Sequence, residues 1–533
     1  MRSSIKIKIN GKTVEVEKGT LLLQAILNQG IFIPTLCFVK ESNPYFSCRI
    51  CLVYEENSQK YIPSCSTRIH NEMSVITHNV NIIKHRQLLI ELILANHPDD
   101  CLYCVKNETC NLRKITEYFH IQNRGFYKKD IAQSIDKSSQ AILLDYSKCI
   151  LCGNCVYACN EVQGCKVFQI NYKGINLKVE PEYGKMLNQS SCVFCGECLK
   201  YCPTAAIYEK ENINNFIKDF SEKGNIILSP LLELDNKFNI KNQRSKQNRL
   251  IGLFKNLGID KVFSLNAGVD IFLYELYQEF KFFLNRKQSL VSSFCPSINM
   301  YFERYKPKNV ELSKVEIPSI QINKILKNFF VSNNYTLHEF SGCIALKQIL
   351  QNKVIDEKHF AYTSREISKI KRYFSVTEKY DKTGNFNEPC NLYSALSFLP
   401  FLPGGTAESI ARMYVAEIKQ EELENDTLEM FRQNKDFFDV TINVLDNKIA
   451  FGIINGMGNI KKAFDAWKNN VPDFIDVLAC LGGCSVSGGM SFDNNLKEIR
   501  KQLYEISEKC TIRLPQNNKY LINLYEMQRK MND

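Results

Sequence analysis

Two runs of cysteine constrain this chain more than anything else in it: Cys149-x2-Cys152-x2-Cys155-x3-Cys159 and Cys192-x2-Cys195-x2-Cys198-x3-Cys202-Pro203. Three closely spaced thiols on one loop can grip three corners of an iron–sulfur cube, and in paired runs of this spacing each fourth cysteine ligates the other cube. By that rule Cys149, Cys152, Cys155 and Cys202 hold one [4Fe–4S] cluster, and Cys192, Cys195, Cys198 and Cys159 hold the other. Asn160 stands where proline usually follows the first run, whereas Pro203 follows the second.

Composition supports metal over disulfides. The chain has 22 cysteines in 533 residues, sixteen of them before residue 203. The start, Met1-Arg-Ser-Ser-Ile-Lys-Ile-Lys-Ile, alternates like a strand and lacks a signal peptide's apolar core. No apolar run approaches the roughly 20 residues of a membrane helix. A cytoplasmic location is expected, with an anaerobic organelle as the eukaryotic alternative, and intracellular thiols in such numbers point to metal sites. The length implies two to four domains. The net charge of +11 is spread over scattered Lys and Arg, and no nucleic-acid motif accompanies it. A basic face could meet an acidic redox partner.

Upstream, residues 5–9 alternate, Asn10-Gly11 signals a hairpin, and Thr13–Val16 alternates again. Thr20 is placed to cap a helix over Leu21–Asn28 that stops at Gly30. Cys37, Cys48, Cys51 and Cys65 follow, four thiols suited to a [2Fe–2S] cluster or to zinc. After a helical stretch, Ile82–Ala95, comes His97-x3-Cys101-x2-Cys104-x5-Cys110. Three thiols lack a fourth partner there, and imidazole is the usual replacement for thiolate. Residues 119–143 read as a connection.

These N-terminal patterns resemble the ferredoxin domain and the His/Cys3 [4Fe–4S] module that open [FeFe]-hydrogenases and the large iron–sulfur subunit of complex I. The paired runs resemble a bacterial two-cluster ferredoxin. Beyond residue 208, strand-like segments at Asn225–Leu232, Tyr335–Phe340, Val440–Val444, Ile449–Ile454 and Asp473–Leu478 alternate with helical ones at Ile271–Leu284 and Ala407–Ile418. That is an α/β pattern, in two lobes. Its loops carry Ser292-Ser-Phe-Cys295-Pro, Ser341-Gly-Cys343-Ile-Ala-Leu-Lys347 and Leu478-Ala-Cys480-Leu-Gly-Gly-Cys484-Ser-Val-Ser-Gly-Gly489. In this order they resemble the three catalytic loop motifs of the [FeFe]-hydrogenases, TSCCP, MPCxxK and MACxxGCxxGGG. Pro403-Gly-Gly-Thr-Ala-Glu, Ile454-Asn-Gly-Met-Gly-Asn and the segment from Leu503 also resemble family sequences.

The resemblance implies a multidomain α+β and α/β chain. Its parts are a β-grasp [2Fe–2S] domain (1–78), a His/Cys3 module (79–120), a two-[4Fe–4S] ferredoxin domain (140–210), a two-lobed hydrogenase-like domain (220–495) and a small-subunit-like segment (496–533). It implies one [2Fe–2S] cluster on Cys37, Cys48, Cys51 and Cys65, and three [4Fe–4S] clusters. A fifth cluster, a cubane, would sit on Cys295, Cys343, Cys480 and Cys484, with Cys484 bridging to a di-iron unit. The implied electron partner is a ferredoxin or an NADH-oxidising flavoprotein subunit. The iron–sulfur and hydrogenase maturation machineries would load the clusters.

Departures from the motifs bear on chemistry. Phe294 replaces the family's proton-relaying cysteine, and Leu346 its cyanide-holding lysine; Lys347 lies one place late. Ser341 and Leu478 stand where the motifs carry methionine. Tyr274 and Tyr277 fall where the relaying glutamates are expected, and tyrosine, with a pKa near 10, relays protons poorly at neutral pH. The expected activity is electron transfer to a site that interconverts protons and hydrogen; the alternative is a redox or cluster-handling protein that keeps only the cubane. Cys165, Cys390 and Cys510 are read as ordinary buried thiols.

Overall fold

The computed structural model describes residues 4–39, 47–122, 126, 134–219, 224–234, 246–259, 261–305, 307, 309–330, 335–353, 358–374, 384–468, 470–491 and 495–532. Alternation at the start produces the hairpin of Ser4–Ile9 and Lys12–Glu17, with Asn10 and Gly11 at positive φ in the turn. A five-stranded mixed sheet grows from it through Ser74–Ile76, Leu52–Glu55 and Lys60–Pro63. The helix Leu22–Leu27 buries Leu22, Leu23, Ala25 and Ile26 within the same core as Ile7, Ile9, Cys51 and Cys65. Leu21, not Thr20, occupies the N-cap position, and no side chain caps this helix.

The helix Val80–Leu94 is capped by Asn79, whose side chain accepts from the Ile82 amide at 2.8 Å. The stretch read as a connection carries structure. Ile142–Asp145 pairs with Ile135–Asp136 on one side and Ile207–Glu209 on the other in a three-stranded sheet.

The C-terminal region contains two sheets. One is four-stranded and parallel, in the order Val262–Ser264, Asn225–Leu228, Thr336–Phe340, Lys358–Tyr362. The other has five strands, Val310–Leu312, Ser289–Val291, Phe474–Leu478, Asn447–Asn455 and Phe437–Val444, antiparallel only between the last two. The helix Leu265–Asn285 leaves the first sheet after Ser264 and returns the chain to the second at Ser289, so the two lobes share it. Two helices, Leu496–Glu508 and Lys519–Asn532, follow the second sheet, and Leu503, Leu521 and Tyr525 join its core.

Parallel strands send their loops to one edge, where ligands bind in open α/β sheets. Cys295 follows Ser289–Val291, Cys343 follows Thr336–Phe340, and Cys480 follows Phe474–Leu478. Topology therefore gathers thiols that lie nearly two hundred residues apart in sequence. Among the described residues no helix is long and apolar enough to cross a membrane.

Candidate functional site

The N-terminal thiols converge. Cys37 and Cys48 have their sulfurs 3.2 Å apart, and Cys65 hydrogen bonds with Cys51. Those bonds hold Cys48 and Cys51 below the usual thiol pKa and push their partners Cys37 and Cys65 up, with burial adding to the rise. Arg86, fully buried, fixes the loop by donating to the carbonyls of Leu52 (2.7 Å) and Thr77 (3.2 Å). Cys101, Cys104 and Cys110 lie close enough to interact electrostatically, with Cys101 exposed and His97 buried nearby in the chain.

In the paired runs, Cys149, Cys152, Cys155 and Cys202 line one small cavity of about 30 Å³. Cys192, Cys195 and Cys198 instead face Cys159. Gly153 and Gly196, both in the left-handed region (φ 75° and 76°), start the short helices that carry Cys155 and Cys198. Burial pushes Cys149 up to about 11 and Cys192 up to about 12. Such thiols lose their protons most readily to a metal that replaces them.

Cys165 is not an ordinary buried thiol. It hydrogen bonds with Cys159, and its amide donates to the Cys159 carbonyl at 2.9 Å. Cys192 and Cys195 also lie within electrostatic reach of it, which makes a fifth thiol beside that set. Its spacing of six from Cys159 was the available sequence signal. Cys390 is wholly buried, and Cys510 hydrogen bonds with the Ile506 carbonyl; neither approaches another thiol.

The groups form a continuous series. A single apolar cluster contains Cys37, Cys48 and Cys152, with Cys110 packed against it. Lys106, beside Cys104 and Cys110, donates to the Cys202 carbonyl at 2.5 Å. Cys155 feels Cys159, and Cys198 feels Cys155. Cys195 lines the cavity at the C-terminal site.

That cavity, about 70 Å³, is walled by Cys295, Cys343, Cys480 and Cys484 and is otherwise mainly apolar. Burial pushes Cys343 up to about 12. Four thiols from three loops around one space suit a cubane. Phe294 and Leu346 also line it, and Phe294 packs edge-on against Phe272 (5.6 Å) and Phe401 (5.3 Å). Lys347 does not reach it. Its ammonium pairs with Glu366 at 2.6 Å and donates to the Lys210 carbonyl at 2.7 Å, both side chains being fully buried. The cavity therefore offers no lysine nitrogen, and a cyanide-bearing di-iron unit would lack that anchor.

Tyr274 and Tyr277 do not serve the site either. Tyr274 lies 3.4 Å from Glu526 at the surface, and Tyr277 sits under the Lys281 ammonium on the side of Glu417. Of the acids on that helix, Glu279 is bonded to Ser313 and to the Lys314 amide (3.1 Å), Glu275 to Gln321, and Asp270 to Ser394. Without a motif on the helix, sequence alone did not fix which residues face inward. Also unforeseen was Arg365. It forms a bidentate pair with Glu209 (2.7 and 3.1 Å) and donates to the carbonyls of Gly488 (2.7 Å) and Met490 (2.9 Å). Burial opposes ionisation of Glu209, but Arg365 and Lys347 outweigh it and hold its pKa below the ordinary value.

Comparison with known proteins agrees with this layout. Residues 227–489 match the iron-only hydrogenase large subunit, C-terminal domain. Residues 2–80 match a 2Fe-2S cluster binding domain, 86–124 the NADH-ubiquinone oxidoreductase-G iron–sulfur binding region, and 186–208 a 4Fe-4S binding domain. The chain is an iron–sulfur oxidoreductase with hydrogenase-like and ferredoxin-like domains. It is 26% identical to the NADP-reducing hydrogenase subunit HndD of Solidesulfovibrio fructosivorans, over 98% of this chain and 96% of that one. It is 25% identical to iron hydrogenase 1 of Clostridium pasteurianum, again over 98% and 96%. A solved [FeFe]-hydrogenase from Chlamydomonas reinhardtii is 17% identical, covering 60% of this chain and 94% of that one with a TM-score of 0.49.

Proposed function

We propose that this chain carries single electrons between a redox partner and the C-terminal cavity, where protons and hydrogen are interconverted. One observation carries the reading: Cys195 of the paired runs and the four thiols of the C-terminal loops wall the same cavity. Cys37, Cys48, Cys51 and Cys65 would hold a [2Fe–2S] cluster, and His97, Cys101, Cys104 and Cys110 a [4Fe–4S] cluster. The paired runs would hold two more [4Fe–4S] clusters, and Cys295, Cys343, Cys480 and Cys484 a fifth cluster, the fourth cubane. Such clusters store and pass single electrons when bound. The electron partner is a ferredoxin or an NAD(P)H-oxidising flavoprotein subunit, supported by the NAD(P)-linked names of relatives such as HndD.

Phe294, Leu346 and the diverted Lys347 favour a second reading, in which only the cubane is kept and hydrogen turnover is slight. Infrared spectroscopy decides between the two on protein made with the hydrogenase maturation machinery. CO and CN⁻ stretching bands establish the first; their absence from iron-replete protein selects the second. Mössbauer counting that finds no fourth cubane would overturn both.

A further inference from the structure

Phe294 in the cavity lining carries no exchangeable proton, but other lining residues do. Glu339 and Ser319 both line the cavity, and the Ser319 hydroxyl donates to Glu339 Oε1 at 2.7 Å. Behind them His359 Nε2 lies 3.1 Å from Glu339 Oε2, with both side chains fully buried. Asn323 lies 3.5 Å from His359 Nδ1, and the Tyr335 hydroxyl donates to Asn323 Oδ1 at 2.7 Å. That last bond turns the Asn323 amide nitrogen toward Nδ1. The imidazole then carries its proton on Nε2, aimed at Glu339.

An acid and a base buried together in a strand interior are costly to keep unless they are paired, and no packing need explains them. Thr336–Phe340 is buried along its whole length, so Glu339 occupies a position where an apolar residue would serve the fold. We infer that Ser319, Glu339 and His359 form the proton-delivery chain of the cavity, in place of a thiol at position 294. The inference rests on the reading that this cavity is the redox end of the chain.

Each delivery moves one proton and no electrons. Ser319 passes its hydroxyl proton to an acceptor in the cavity and takes one from Glu339. The Glu339–His359 pair, loaded with one extra proton, gives it up and regains one from solvent on the Nδ1 side, where half-buried Tyr335 lies. Glu339 is the donor, and His359 is a positioning residue that acts through it. The other titratable groups facing the pair are His338, held neutral by burial and by His359, and the thiol of Cys343.

The test uses the full chain with its clusters counted by Mössbauer spectroscopy. Redox-difference infrared spectra in H₂O and D₂O should show a carboxylic acid C=O band that shifts in D₂O. The band should vanish in Glu339→Gln and return, displaced, in Glu339→Asp. Hydrogen–deuterium exchange with H₂ should fall about 10²–10⁴-fold in Glu339→Gln, the usual cost of losing a general acid. Ser319→Ala, which cuts the link without touching the carboxylate, should bring a similar loss. His359→Gln should move the pH profile of exchange while leaving the KM for hydrogen unchanged. An unaltered band in Glu339→Gln, or full exchange in Ser319→Ala, overturns the inference even if one variant folds poorly. A wild-type chain without the C-terminal cubane instead overturns the reading it rests on.

Discussion

Gly488 presses on Gly196 so closely that a methyl group on Gly488 would lie 2.3 Å from the Gly196 carbonyl oxygen. A methyl group on Gly196 would in turn meet Ile344 at 2.7 Å. Gly196 lies next to Cys195 in the second cysteine run; Gly488 follows Cys484, and Ile344 follows Cys343. The contact therefore sets how near the ferredoxin-like thiols come to the C-terminal ones. Gly488→Ala should force these loops apart at a cost of about 1–3 kcal/mol, the usual price of overpacking. Thermal denaturation should report the loss, and freeze-quenched electron paramagnetic resonance should show slower electron arrival at the C-terminal cubane with the cluster count unchanged.

Lys347→Met tests which way the loop of Cys343 is threaded. With the ammonium gone, Glu366 stays fully buried among the Thr363 and Asn212 amides without its cation. Breaking such a pair typically costs about 3–5 kcal/mol. Thermal denaturation should show that loss, and the infrared spectrum of matured protein should not change, because Lys347 points away from the cavity. Loss of cyanide bands would place the lysine in the cavity and refute the threading.

How legible the site was in sequence depended on how local its spacing is. The crossed pairing of Cys159 and Cys202 follows from spacing within two short runs. Cys295, Cys343, Cys480 and Cys484 were legible as loop thiols, because they follow apolar segments and stand beside or within two residues of Pro or Gly. Their convergence depends on strands of two different sheets ending at one cavity, a long-range fact that spacing does not encode. Tyr274 and Tyr277 were misplaced because a helix without a motif has no fixed rotational register. Glu339 was overlooked because it stands inside a strand that period-2 alternation treats as half exposed, whereas this one is covered on both faces. His and Glu adjacent in such a strand were the missed signal.

Cysteine replacements should separate ligands from neighbours. Cys198→Ala should remove one cubane signal by electron paramagnetic resonance, and an unchanged cluster count would refute the proposed ligand set. Cys165→Ser should leave the count intact. It should also move the reduction potential of that same cubane, because the thiol bonded to Cys159 is replaced. A lost cluster in Cys165→Ser would make Cys165 a ligand.

Asp270 gives the fold a pH dependence of definite sign. Burial pushes its carboxyl from the ordinary 3.8 to about 7, against the hydrogen bonds it accepts from the Ser394 amide (2.7 Å) and hydroxyl (2.5 Å). Between those values the folded chain holds a proton that the unfolded chain has released, so stability falls as pH rises. The contribution is fully present below about 3.8 and is lost as pH passes about 7. Asp270→Asn keeps a neutral side chain at every pH, at the cost of one acceptor for Ser394. Its thermal midpoint, followed across that range in apo-protein to exclude cluster loss, should slope downward less steeply than the wild type's. Parallel slopes would mean that the carboxyl of Asp270 is ionised in the fold well below pH 7.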